Sequence, residues 1–137
     1  MLETTVSSLA GLGPFLAYFA LAVVLSLVFV RIYTWLTPHD ELALIRANNV
    51  AAAVAFGGAL IGFALPLASA ITHSMSLIDC AIWGAVALVV QALTFTVLRI
   101  TLNNLSERIH QGEMAAAVFV AASAIAVGLI NAACMSS

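Results

Sequence analysis

Charge is what this chain lacks. Its 137 residues include 4 Lys+Arg, all arginine, and 6 Asp+Glu, so charged side chains make up 7% against roughly 25% in an ordinary soluble domain. The apolar set reaches 64% and the mean hydropathy is +1.18. A soluble fold of this size leaves about a third of its chain surface in water and must cover much of it with polar groups. Ten charges cannot do that. A net charge of -2 also leaves no basic face for nucleic acid. The composition excludes a soluble enzyme, a disordered tail and a nucleic-acid binder, and it describes an integral membrane protein.

The positions of the ten charges divide the chain. Residues 4–30, 47–78, 80–98 and 114–137 carry none. A helix needs about 20 apolar residues to cross roughly 30 Å of hydrocarbon. Four charge-free runs therefore predict four transmembrane helices, at about 14–34, 50–71, 78–98 and 114–135. Strands would alternate apolar and polar positions, whereas Ala51-Ala52-Ala53-Val54 and Val86-Ala87-Leu88-Val89-Val90 do not alternate. The first run follows Met1-Leu2-Glu3, with no basic residue before it, and it is longer than the apolar core of a signal peptide. It is expected to be retained as a span.

All four arginines fall in two connections, Arg31 and Arg46 around the first and Arg99 and Arg108 around the second. The N-terminal tail, the 72–77 link and the C-terminus have none. By the positive-inside rule, loops 35–49 and 99–113 are expected in the cytoplasm and both termini outside.

The second half of the chain resembles the first. At an offset of 64 residues, Ala51-Ala52-Ala53-Val54 matches Ala115-Ala116-Ala117-Val118, and Ile61, Leu65 and Ala68 match Ile125, Leu129 and Ala132. The expected architecture is all-α, four transmembrane helices as two tandem similar hairpins, 14–71 and 78–135, in one membrane domain. Both hairpins start on the same side, so an axis along the membrane normal would relate them. Each connection also predicts a short helix. Thr37-Pro38-His39-Asp40 offers an N-cap, a first-turn proline and an acid, leading into a turn that points Leu42 and Ile45, with Leu44 beside them, toward the membrane. Leu102, Leu105 and Ile109 share one helical face, and Gly112 suits a left-handed cap.

Within the spans, Gly58 and Gly62 form a GxxxG pair, and Ala124, Gly128 and Ala132 repeat the spacing. Small residues let helix backbones approach closely in lipid, so Gly58, Gly62 and Gly128 are the helix-packing candidates, within the bundle or between subunits. Polar groups at membrane depth are costly and attract functional hypotheses. Gln91 lies near the middle of span three and Asn131 toward the end of span four. Pro66, the kink candidate, removes one helix hydrogen bond and frees the carbonyl of Gly62. Asn131 aligns in the repeat with the neighbourhood of Pro66, so its amide is expected to satisfy that freed backbone.

No catalytic, cofactor-binding or metal site emerges. His39 and His110 fall in the two arginine-bearing connections and His73 in the third, so the three cannot converge. Cys80 opens span three and Cys134 closes span four on the same side, where a disulfide would be chemically permitted. No nucleophile–base pair, phosphate loop or metal-spaced cluster is present. The sequence thus reads as a non-enzymatic membrane component that calls for no cofactor. Its partners are the lipid bilayer and either further copies of itself or another membrane protein. The alternative is a small channel or transporter subunit with a path near Gln91 and Asn131.

These residues also carry a resemblance. Thr37-Pro38-His39-Asp40-Glu41, then Asn48-Asn49, Ala51-Ala52, Ala55-Phe56, Gly58 and Gly62 leading to Pro66-Leu67, resemble the domain-of-unknown-function 350 family. This family of small, YjfL-like bacterial inner-membrane proteins is also called uncharacterised protein family 0719. Trp83-Gly84, Ala87-Leu88, Gln91 and Asn131-Ala132-Ala133-Cys134-Met135 fit the same pattern. The resemblance implies an inner-membrane protein of four spans in two hairpins, and it implies no activity.

Overall fold

The structure, a computed structural model, describes residues 2–36, 41–102 and 105–135. The elements among them are seven α-helices: α1 (Leu2–Ala10), α2 (Leu12–Leu36), α3 (Glu41–Arg46), α4 (Val50–His73), α5 (Leu77–Thr101), α6 (Leu105–His110) and α7 (Met114–Met135). Four are long and apolar enough to cross a membrane, with α1 and α2 counting together as the first. The reason is common to all four: hydrocarbon offers the backbone no hydrogen-bond partner, and a helix satisfies its N–H and C=O groups internally. Each expected span lies inside one of α2, α4, α5 and α7, which extend up to three residues beyond it. The short α1 is an addition to the sequence expectation, which starts the first span at Pro14. The cap expected at residues 37–40, with His39, lies outside the described residues.

α4 is the central element. It packs most extensively on α7, α5 packs on both, and α2 packs on α5 and α4. The α4–α7 pair is parallel: Gly58 faces Ala121, Gly62 faces Ala124, and the Ser69 hydroxyl donates to the Ala132 carbonyl at 3.0 Å. Small residues make that interface. A Cβ added to Gly58 would collide with the backbone and side chain of Ala121, and one added to Gly62 with the Ala124 carbonyl. A Cβ on Gly128 would collide with the Gly62 carbonyl. On the other side of α4, aromatic side chains fill the larger gap left by α2 and α5. Phe29 stacks on Phe63 at 4.8 Å, and Tyr33 meets Phe56 edge-on at 5.3 Å and Phe95 at 5.0 Å. All three buried residues of α2, Leu25, Phe29 and Tyr33, lie in its second half.

The two connections that lead into α4 and α7 carry the same backbone hydrogen bonds. After α3, Ala47, Asn48 and Asn49 donate backbone N–H bonds to the carbonyls of Ala43, Ile45 and Leu44. After α6, Gln111, Gly112 and Glu113 donate to Glu107, Ile109 and Arg108. Every donor and every acceptor is displaced by 64 residues. The residue that reverses the chain has positive φ in both, 68° at Asn48 and 83° at Gly112, the left-handed conformation that Asn and Gly tolerate best. Leu105 and Ile109 are buried in the bundle core, and Leu44 and Ile45 pack partly buried against it. These short helices plug the loop end of the bundle.

Asn49 ties the two connections together. Its Oδ1 accepts the Ala52 N–H at 3.0 Å, capping α4. Its Nδ2 donates to the carbonyl of His110 at 2.9 Å and of Ile109 at 3.4 Å, at the end of α6. At the equivalent place on α7, Glu113 pairs with Arg108 at 3.1 Å. That pair is well exposed and contributes little to stability.

Candidate functional site at Gln91

Gln91 is the one buried polar residue among the described residues, with 3% of its surface exposed. It sits midway along α5 and points between α4 and α7. Its Nε2 donates to the Gly62 carbonyl at 3.0 Å and to the Ala124 carbonyl at 3.2 Å. Both partners are acceptors, so the amide must present its nitrogen to them, and its two hydrogens match the two bonds.

The Gly62 carbonyl is available because of Pro66. A helix carbonyl normally receives the N–H four residues on, and proline has none. α4 nevertheless runs as helix from Val50 to His73. The missing donor is replaced from a neighbouring helix, one of the ways membrane helices tolerate proline. Gly62 and Gly128 let the two acceptor helices approach closely enough for one amide to span both carbonyls.

This arrangement corrects the expected role of Asn131. Its Nδ2 is buried and has no hydrogen-bond partner among the described residues, and the Gly62 carbonyl belongs to Gln91. Depth explains the difference. The repeat aligns Asn131 with Leu67, next to Pro66, but the freed carbonyl lies more than a turn earlier, opposite Ala124 and Gly128. Asn131 adjoins Ala132, whose partner is Ser69.

The space around Gln91 is small. A cavity of about 10 Å³ lies beside it, lined by Phe29, Tyr33, Ala59, Phe95, Val120 and Ala124 among others, room for about one water. The larger concavities of about 400 Å³ are open grooves on the outer surface, one between α5 and α7 along Val90, Leu93, Val97 and Val127. No group of three metal-ligating side chains occurs among the described residues. Cys80 is buried, Cys134 is exposed, and the two do not bridge. His73 keeps its Nδ1 3.0 Å from the Ser69 carbonyl of its own helix. At the start of α5, Ser76 caps the helix by accepting the Asp79 N–H at 3.1 Å, and Asp79 accepts the Met75 N–H at 3.0 Å.

A bundle of four apolar helices with one buried amide joining three of them defines a polytopic α-helical membrane protein. The family model for the Domain of Unknown Function DUF350 matches residues 7–135, and the chain belongs to that family. It is 43% identical over 128 residues to the UPF0719 inner membrane protein YjfL of Escherichia coli K12, covering 93% of this chain and 97% of the relative. The same figures hold for the protein of that name from Escherichia coli O157:H7. The chain is a multi-pass inner-membrane protein. No solved structure matches it.

Proposed function

We propose that the protein is a non-enzymatic membrane component, a sealed four-helix unit that packs in the bilayer with further copies of itself or with another membrane protein. The observation that carries this reading is the use made of Gln91. The buried Gln91 amide holds both its hydrogens on backbone carbonyls, beside a cavity too small for a conduit or a cofactor. Extensive apolar surface on α2 and α5, including Phe15, Phe19, Leu27, Leu93 and Val97, faces outward and suits lipid or a lateral partner. The two halves are two hairpins related by an axis along the membrane normal, a reading supported by the parallel α4–α7 pair and the repeated connections. All four arginines lie toward the loop end, which favours loops 35–49 and 99–113 in the cytoplasm and both termini in the periplasm.

Three measurements test this reading. Mass determination in lipid nanodiscs should give a multiple of the 14.2 kDa chain mass, or a co-purifying membrane partner; a lone monomer overturns the assembly. A membrane-impermeant maleimide added to spheroplasts should label the exposed Cys134 and spare the buried Cys80; labelling only after lysis reverses the orientation. Proteoliposomes should show no ion flux. Flux that Gln91→Leu abolishes would establish the channel alternative instead.

A further inference from the structure

We infer that α1 is an interfacial anchor: it lies along the membrane surface at the terminal end of the bundle, with Leu2, Val6 and Leu9 in the lipid and its hydroxyl-bearing face in water. The inference rests on the membrane reading above and extends it to a segment the span count leaves out. α2 alone has 25 residues, matching the 24, 25 and 22 of α4, α5 and α7, so it fills the hydrocarbon thickness without α1. Leu2–Leu36 is 35 residues long, about 52 Å of helix at 1.5 Å per residue, far more than the roughly 30 Å hydrocarbon core. α1 must therefore lie beyond the core, in the plane of the interface or out in water.

Its side chains decide between the two. Leu2, Val6 and Leu9 fall four and three residues apart on one helical face, and they are 82%, 62% and 63% exposed. The spacing continues through the outward-facing Leu16, Val23 and Leu27 of α2, so the apolar row of α1 is continuous with the lipid-facing side of the span. Thr4, Ser7 and Ser8 occupy the opposite face. A helix with one apolar and one polar face binds in the headgroup–acyl boundary. The joint is the weak point at which the helix can bend: Pro14 gives the Ala10 carbonyl no N–H, and Gly11, whose N–H donates to the Ser7 carbonyl and whose own carbonyl accepts from Phe15, separates α1 from α2. A second copy is the weaker occupant, because three aliphatic side chains cover a few hundred Å² at most, against about 1,600 Å² for a standard interface. Glu3 is the one charge before Arg31, so the attraction is apolar and should not depend on salt or on anionic lipid.

The test uses full-length protein with Cys134→Ser, reconstituted in phosphatidylcholine nanodiscs and labelled with an environment-sensitive fluorophore at Val6→Cys, Ser8→Cys or Leu93→Cys. All three positions are exposed, so the substitutions leave the packing intact. The label at position 6 should be quenched by lipids carrying a nitroxide near the headgroup. Aqueous iodide should quench it several-fold less than the label at position 8, and anionic lipid should change neither result. Equal iodide quenching at 6 and 8 would overturn the anchor, as would protection at 6 that arises only in dimeric particles. Position 93 is the control for the membrane reading itself: it should be quenched by nitroxides near the acyl-chain ends. Failure there sinks that reading, whereas failure at position 6 alone sinks only the anchor.

Discussion

The Gln91 amide donates to the Gly62 carbonyl at 3.0 Å, replacing the N–H that Pro66 cannot supply to its own helix. The two substitutions should therefore be energetically coupled. Gln91→Leu removes the interhelical bonds and should destabilise the bundle by about 1–2 kcal/mol. Pro66→Ala restores a donor to the Gly62 carbonyl within α4, so in that background the loss from Gln91→Leu should be smaller, reflecting mainly the bond to Ala124. A double-mutant cycle on reversible unfolding in mixed micelles measures the difference. Strict additivity would mean that the Gly62 carbonyl gains nothing from the amide.

The α4–α7 contact should respond to single methyl groups. Gly128→Ala places a Cβ against the Gly62 carbonyl, the acceptor Gln91 uses. The helices must separate to admit it, and overpacking of this kind costs about 1–3 kcal/mol. Gly62→Ala should behave similarly. Gly57 is the control, because a Cβ there meets nothing within 4 Å, and Gly57→Ala should leave stability unchanged or slightly raised. Unfolding midpoints in a denaturing detergent titration, compared across the three variants, test the ranking.

The scarcity of charge made the four spans legible, because each charge-free run is long enough to cross and each interruption falls at or beside a connection. The 64-residue offset was legible in residues 51–54 and 115–118, and the hydrogen bonds around Asn48 and Gly112 share it. The partner of the freed Gly62 carbonyl was harder to read. Alignment of repeats compares parallel helices and pointed to Asn131, but depth across an antiparallel hairpin follows from counting away from its turn. Counted from the link at 74–76, Gly62 lies opposite Leu88, one turn from Gln91. That signal was present in the sequence. The short α1 was less visible, since Thr4, Thr5, Ser7 and Ser8 resemble a polar tail unless the spacing of Leu2, Val6 and Leu9 is weighed against them.

Asn49 serves two helices, and its substitutions should separate those roles. Asn49→Ala loses the α4 N-cap and the donor to the end of α6, and should cost about 1–2 kcal/mol. Asn49→Asp keeps the capping oxygen that accepts from Ala52 and loses the amide protons that reach Ile109 and His110. Its stability should fall between wild type and alanine. Hydrogen exchange of the amides around α6 should quicken in both variants, while the first turn of α4 should open only in Asn49→Ala. Equal protection of α4 in both would remove the capping role.

The two chain reversals provide a matched pair, since Asn48 and Gly112 hold the same left-handed conformation 64 residues apart. Gly112→Ala puts a Cβ where the backbone has φ 83°, at a cost of about 1–2 kcal/mol; the added methyl has open space, so the cost is conformational alone. Gly112→Asn copies the residue used in the first connection and should recover most of that loss. Conversely, Asn48→Gly should be neutral or mildly favourable, and Asn48→Ala should match the penalty at Gly112. Thermal unfolding of the four variants in nanodiscs compares them directly. If alanine is tolerated at one position and not the other, the two connections do not share a backbone constraint, and the repeated hydrogen bonds reflect two separate local solutions.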